Sequence, residues 1–85
     1  MDLKELKIKS KNLEPIVRIG KAGITTAQIE EIKKLLKKRK LVKIKMLNNF
    51  IDKIDRKAAA KELTDKTDAV LVDAIGSVVV LYKNN

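Results

Sequence analysis

The chain has 85 residues, no histidine, cysteine or tryptophan, two aromatic side chains (Phe50 and Tyr82), and a formal charge of +9 at pH 7. That length supports one small domain, residues 1–85, with a single modest core. The missing residue types exclude disulfides, thiolate chemistry, imidazole acid–base catalysis and the commonest metal ligand.

The charge is one-sided. Residues 1–45 carry 14 Lys/Arg against 5 Asp/Glu, a net of +9, whereas residues 46–85 carry 6 of each. A solvated, salt-bridge-laced surface accounts for many charges of both signs but poorly for a surplus confined to one half. A polyanionic partner accounts for it better. No apolar run approaches the roughly 18 residues of a membrane span. Met1-Asp2-Leu3-Lys4-Glu5 lacks the apolar core of a signal peptide. The expectation is a soluble, cytoplasmic monomer with no membrane partner.

In chain order, Leu3 to Lys11 reads as a helix, with Leu3, Leu6, Ser10 and Leu13 on one stripe and Lys4, Lys7 and Lys11 on a neighbouring face. Ile8 falls off that stripe. Glu14-Pro15 closes the segment, because the residue before proline is pushed out of the α region. Ile16 to Ile19 is a short β-branched strand bounded by Pro15 and Gly20. It leads into Gly20-Lys21-Ala22-Gly23, two glycines three apart with a lysine between them and Arg18 just before. This turn delivers the chain to a helix start, where free N–H groups and the positive dipole end favour an anion.

Thr25-Thr26-Ala27-Gln28 fits a capping box, in which Thr25 bonds the Gln28 amide and the Gln28 side chain reaches back to Thr25. Thr25 thus serves as a cap and as a possible phosphate ligand. The second helix runs from Thr26 to Arg39. Ile29, Ile32, Leu35 and Leu36 form its core arc, and Lys33, Lys34, Lys37 and Lys38 lie opposite. Four lysines in six residues exceed what the macrodipole needs. Leu41 to Leu47 alternates, with Val42, Ile44 and Met46 on a buried face and Lys43 and Lys45 on a basic one.

Asn48-Asn49 marks a turn. A third helix spans Asp52 to Lys66 with a narrow stripe of Ala59, Ala60, Leu63 and Thr67. Strands over Ala69–Ile75 and Val78–Lys83 flank Gly76-Ser77, a pair suited to a type II′ hairpin turn. The order α-β-α-β-α-β-β defines an α/β (α+β sandwich) fold: a four-stranded mixed sheet with helices packed on it. The second and third helices, as right-handed crossovers, share one face. The docking site of the first helix does not follow from the pattern.

Little chemistry is left for an enzyme. Asp52 and Asp55 suit a helix start better than a metal; Asp65 and Asp68 read as a solvated turn. Gly20-Lys21 does not complete a phosphate-binding loop of the G-x-x-x-x-G-K-[ST] type: Ala22 stands where Ser or Thr belongs, and position 15 is proline. No metal, cofactor or small-molecule substrate is expected. Two aromatics are too few to stack a series of bases, and Tyr82 reads as core-facing. Contacts should therefore go mostly to phosphate and 2′-OH of structured RNA.

The ordered set Leu13, Pro15, Arg18-Ile19-Gly20-Lys21, Gly23-Ile24-Thr25, Leu41 to Lys45, Ile75-Gly76 and Val80-Leu81-Tyr82-Lys83 resembles the CRM domain, also called the CRS1–YhbY domain. The resemblance covers nearly the whole chain. It implies a fold similar to the C-terminal domain of translation initiation factor three. It also implies RNA binding through the glycine turn, with Gly20, Lys21, Ala22 and Gly23 at the RNA backbone and Arg18 beside them. For stand-alone bacterial members it implies precursors of the large ribosomal subunit as the setting, hence ribosomal RNA. Two positions depart from the family pattern. Lys83 replaces the usual arginine, keeping the charge without the bidentate fork, and Ser10 stands where a small apolar residue is usual.

The RNA-facing set expected from turn and basic surface together is Lys4, Lys7, Lys11, Arg18, Gly20 to Gly23, Thr25, Lys33, Lys34, Lys37, Lys38, Lys43 and Lys45. A KH module is the nearest alternative, since Ile19, Gly20, Gly23 and Ile29 fit its motif, but its loop joins two helices. A basic ribosomal or structural protein is the second alternative and a DNA-coating protein the third.

Overall fold

The computed structural model describes residues 2–48 and 55–83. Helix α1 spans Leu3–Ser10, strand β1 Val17–Ile19, α2 Thr26–Arg39, β2 Leu41–Met46, α3 Arg56–Thr67, β3 Val70–Ile75 and β4 Val78–Tyr82. Each of these three helices begins at a side-chain cap. The Asp2 carboxylate accepts the Glu5 amide at 2.9 Å, Thr25 Oγ1 accepts the Gln28 amide at 3.1 Å, and Asp55 accepts the Lys57 amide at 3.0 Å. These bonds satisfy N–H groups that no helical carbonyl can reach.

The α3 start differs from the expected Asp52. Asp55 is extended (φ −66°, ψ 129°), so the helix begins at Arg56. Asp52, Asn49 and Phe50 lie outside the described residues. Asp65 belongs to α3, where it pairs with Lys61 at 3.3 Å, and Asp68 is the left-handed C-cap (φ 56°), so the expected solvated turn over these two residues is a helix end.

The sheet order is β1-β2-β4-β3. β1 and β2 are parallel, while β4 runs antiparallel to both of its neighbours. β2 and β3 therefore point the same way with β4 inserted between them. Both crossovers, through α2 and α3, lie on one face as expected. Ile29, Ile32 and Leu36 of α2 and Ala59, Ala60 and Leu63 of α3 close over Val17, Ile19, Val42, Ile44, Met46, Val79 and Leu81 to form the main core. The two alanines leave room for α3 to approach the sheet closely. Leu35 is only half-buried against this core. Gly76 takes φ +57° in the β3–β4 turn, and Ile75 pairs with Val78 across it.

α1 docks on the opposite face. Leu6 packs there with Val72 and Val80, with Tyr82, Val78 and Leu41 around them. Tyr82 is thus half-buried in this smaller cluster. Leu3, at 49% exposure, and Leu13, at 38%, contribute little to the stripe that contained them, and Ile8 at 57% lies off it as its position implied. Ser10 is buried, and its hydroxyl is satisfied by donating to the Lys7 carbonyl at 2.8 Å.

Candidate nucleic-acid interface

The glycine turn hangs from the end of the edge strand. Ile19 is wholly buried and its carbonyl accepts the Leu47 amide at 2.8 Å, which anchors the entry. The chain then reverses within four residues. The Gly23 amide donates to the Gly20 carbonyl at 2.9 Å, and Lys21 and Ala22 stand exposed at the tip. Gly23 takes φ +76°, where a Cβ is disfavoured. Gly20 does not, so only one of the two glycines is required by backbone conformation. Ile24 packs back on the main core, and Thr25 caps α2.

The turn is closed by a contact that the capping-box reading missed. Gln28 Nε2 donates to the Arg18 carbonyl at 2.9 Å instead of reaching back to Thr25. The side chain thereby ties the last stretch of β1 to the first turn of α2 across the base of the loop. A long amide four atoms from Cα reaches the strand because Ile29, its neighbour, seats that face of α2 on the sheet. Gln28→Ala should leave Arg18 and Lys21 in the chain but loosen the turn that positions them. The expected result is RNA affinity lowered several-fold with an unchanged salt slope, alongside faster amide exchange at residues 20–24. A flattened slope instead would make Gln28 part of the electrostatic contact.

The sheet divides the expected basic residues between two surfaces. Lys33, Lys34, Lys37 and Lys38 are exposed on α2, with Lys33 3.9 Å from Glu30. Lys4, Lys7 and Lys11 are exposed on α1, on the opposite side. Arg18 also belongs to that side, because Val17 and Ile19 turn into the main core, and it stands in register with Lys45 of β2. The glycine turn projects at the β1 edge, whereas Leu6 of α1 packs on Val72 of β3 and Val80 of β4. Among the described residues Arg18, Lys21 and Lys45 form no ion pair, so their charge is uncompensated at contact range.

Lys43 has a structural role that its place on a basic strand face does not reveal. Its ammonium donates to the Ser10 carbonyl at 3.2 Å, which also accepts the Leu13 amide, and to the Leu13 carbonyl at 3.1 Å, just beyond the end of α1. The β2 face that was to be openly basic is in part the floor on which α1 rests, and Lys43 is half-buried beneath it. Lys43→Met keeps the stem and removes both bonds. It should lower stability by about 1–3 kcal/mol in urea unfolding while RNA affinity stays within about twofold and the salt slope is unchanged, because this ammonium is bonded to the Ser10 and Leu13 carbonyls; loss of a phosphate ligand would lower the slope by about 1. A lost unit of slope would return Lys43 to the interface.

Thr25 Oγ1 accepts the cap bond from the Gln28 amide, which leaves its hydroxyl hydrogen able to donate. Asp73, which periodicity assigned to an ordinary strand, was not singled out in the sequence and proves to border a cleft beside α1. Among the described residues no group of three or more acidic side chains is arranged to hold a metal ion, and no helix is long and apolar enough to cross a membrane.

A three-layer α-β-α sandwich with a cationic two-glycine turn at an edge strand, preceded by a strand and not a helix, sets this chain apart from the KH arrangement. The CRS1 / YhbY (CRM) domain matches residues 1–83, and the chain belongs to that family. It is 34% identical over 80 residues to the Bacillus subtilis protein named probable RNA-binding protein YqeI, covering 94% of this chain and 81% of that one. It is 33% identical over 78 residues to the Methanocaldococcus jannaschii protein named probable RNA-binding protein MJ0652, covering 92% of this chain and 58% of that longer protein. The solution structure of the Staphylococcus aureus protein SAV1595 superposes with a TM-score of 0.80 at 36% identity, over 98% of this chain and 84% of that one.

Proposed function

We propose that this chain is a non-catalytic RNA-binding protein that grips the backbone of structured RNA at the Gly20–Gly23 turn. Arg18 and Lys21 neutralise the nearest phosphates, and the lysines of α1 and α2, with Lys45, extend the field to either side of the β1 edge. The observation that carries this reading is the place of the turn: an exposed lysine tip, one left-handed glycine and an α2 N-terminus at the β1 edge of the sheet, beside Arg18 and Lys45. Family membership supports it, since the relatives above are named for RNA binding.

The target is ribosomal RNA in a precursor of the large subunit, which the protein meets as a cytoplasmic monomer during assembly. This part rests on the family resemblance. Crosslinking in cells followed by RNA sequencing, combined with sedimentation, tests it. Crosslinks should fall on large-subunit RNA, and the protein should travel with precursor particles. Residence in finished subunits would make it a ribosomal component; crosslinks elsewhere would assign it another RNA.

A further inference from the structure

β3 is not a regular strand. Leu71 pairs with Leu81 and Asp73 with Val80, so Val72 and Asp73 together oppose one residue of β4. A bulge of this kind inverts the in–out alternation beyond it. Val72 packs with Leu6 and Val80 beneath α1. Asp73, opposite Val80, lies on that same face, and Ile75 opposite Val78 follows it there. In a regular strand Asp73 would point to the α2–α3 side. The bulge brings a carboxylate to the α1 side instead.

There Asp73 borders a cleft of about 220 Å³ between the end of α1 and the sheet. Ile75, Val78 and Val80 form its apolar floor, and Lys11, Lys43 and Asp73 its polar rim. The Lys43 ammonium is held by the α1 carbonyls. Asp73 makes no ion pair among the described residues; its Oδ1 accepts the adjacent Ala74 amide at 3.0 Å. Beside the cleft, Arg18, Lys45, Val78 and Ile75 form one row straight across the four strands. From Arg18, next to the glycine turn, to Val78 is two strand spacings, about 10 Å.

We propose that this cleft receives a single unpaired guanine base of the bound RNA, with Asp73 reading its Watson–Crick edge. The inference rests on the RNA-binding reading and adds a base-specific contact to it. The cleft is smaller than the roughly 300–1,000 Å³ of pockets for drug-sized ligands, in keeping with one planar base on an aliphatic floor. An ionised carboxylate only accepts hydrogen bonds. Guanine presents N1–H and N2–H side by side, two parallel donors that one carboxylate can take together, the geometry of a strong bidentate pair. Adenine, cytosine and uracil each place an acceptor beside the donor, which would face a carboxylate oxygen. Lys11, Lys45 and Arg18 are exposed around the cleft and row, where the flanking phosphates would lie. Base recognition here needs no aromatic platform, consistent with a chain that has only two aromatic residues.

The test uses the full chain and fluorescent octauridylates carrying one central G, A, C, U or inosine, at one fixed salt concentration. The guanosine oligomer should bind about tenfold more tightly than the other standard bases. Inosine, which lacks the N2 amino group, should lose a large part of that advantage without any change to the protein. Asp73→Asn should abolish the preference while keeping the affinity for octauridylate and its salt slope. Lys21→Ala should weaken every oligomer alike and keep the preference. Equal affinity for all bases, or inosine binding as tightly as guanosine, would overturn the cleft and leave RNA binding standing. No binding to any oligomer or to structured RNA at low salt would remove both readings.

Discussion

Replacing Arg18 and Lys21 together with alanine is expected to weaken RNA binding by ten- to a hundredfold per contact, since a hydrogen bond to a charged group is worth about 1.5–3 kcal/mol. The loss should depend on salt. Each phosphate contact removed takes about one unit from the slope of log affinity against log salt, so wild type and variant should differ most at low salt and converge as salt rises. The reason is structural. Both side chains are exposed at the β1 edge and unpaired among the described residues, so folding makes no use of their charge and stability should hold. The quadruple change of Lys33, Lys34, Lys37 and Lys38 to alanine is the control for the α2 surface. It starts about 12 Å along the helix from Thr25 at about 1.5 Å per residue, so its effect should be the smaller of the two. An unchanged affinity and slope in the Arg18/Lys21 variant would remove the turn from the interface.

Leu6→Ala should lower stability by about 2–5 kcal/mol, the range for a buried leucine. Leu6 is the one large apolar side chain that α1 buries. The helix has 8 residues, well short of the roughly 12–15 at which isolated helices begin to persist in water. It stays helical because it is docked, and it is docked by Leu6, by the fit of Ser10 and by the Lys43 bonds. Hydrogen exchange should therefore show α1 losing protection first, with α2, α3 and the central strands retaining theirs. Such a pattern marks α1 as a low-stability unit separate from the main core. A uniform loss across the chain would show instead that the two cores melt as one. Because α1 also forms one wall of the Asp73 cleft, the variant should lose guanosine preference while keeping most of its contact at the glycine turn.

The division of the basic residues changes how the interface is drawn. The sequence pattern alone sets lysines of both helices and of a strand around the turn. In the fold the α1 and α2 sets lie on opposite sides of the sheet. RNA reaches both only by passing around an edge of the sheet. The β1 edge is three residues long, and the glycine turn follows it. Duplex RNA lying against one side would use the turn and one lysine set; a bent or branched RNA would use both.

Local rules carried much of the architecture. The 3.6-residue spacing of Ile29, Ile32 and Leu36 placed α2 from Thr26 to Arg39 at its observed bounds. The alternation of Val42, Ile44 and Met46 marked the buried side of β2, and Gly76-Ser77 marked the hairpin turn, because each of these signals lies within a few consecutive residues. Gln28 shows where locality stops. Its side chain could satisfy a donor three residues back or an acceptor ten residues back, and only the packing of α2 on β1 selects the Arg18 carbonyl.

What the sequence by itself determined is therefore the element order, the crossover face of the sheet, the uneven charge and the cationic turn. These follow from periodicity, capping and composition. The seat of α1, the engagement of Lys43 and the side to which Asp73 points were decided only by tertiary structure. A weak eight-residue helix takes its place from the surface it covers, and a lysine's partner is set by the carbonyls brought above it. A bulge arises where β3 must keep both Val72 under Leu6 and Ile75 opposite Val78, and no alternation read along one strand reports what its neighbour requires.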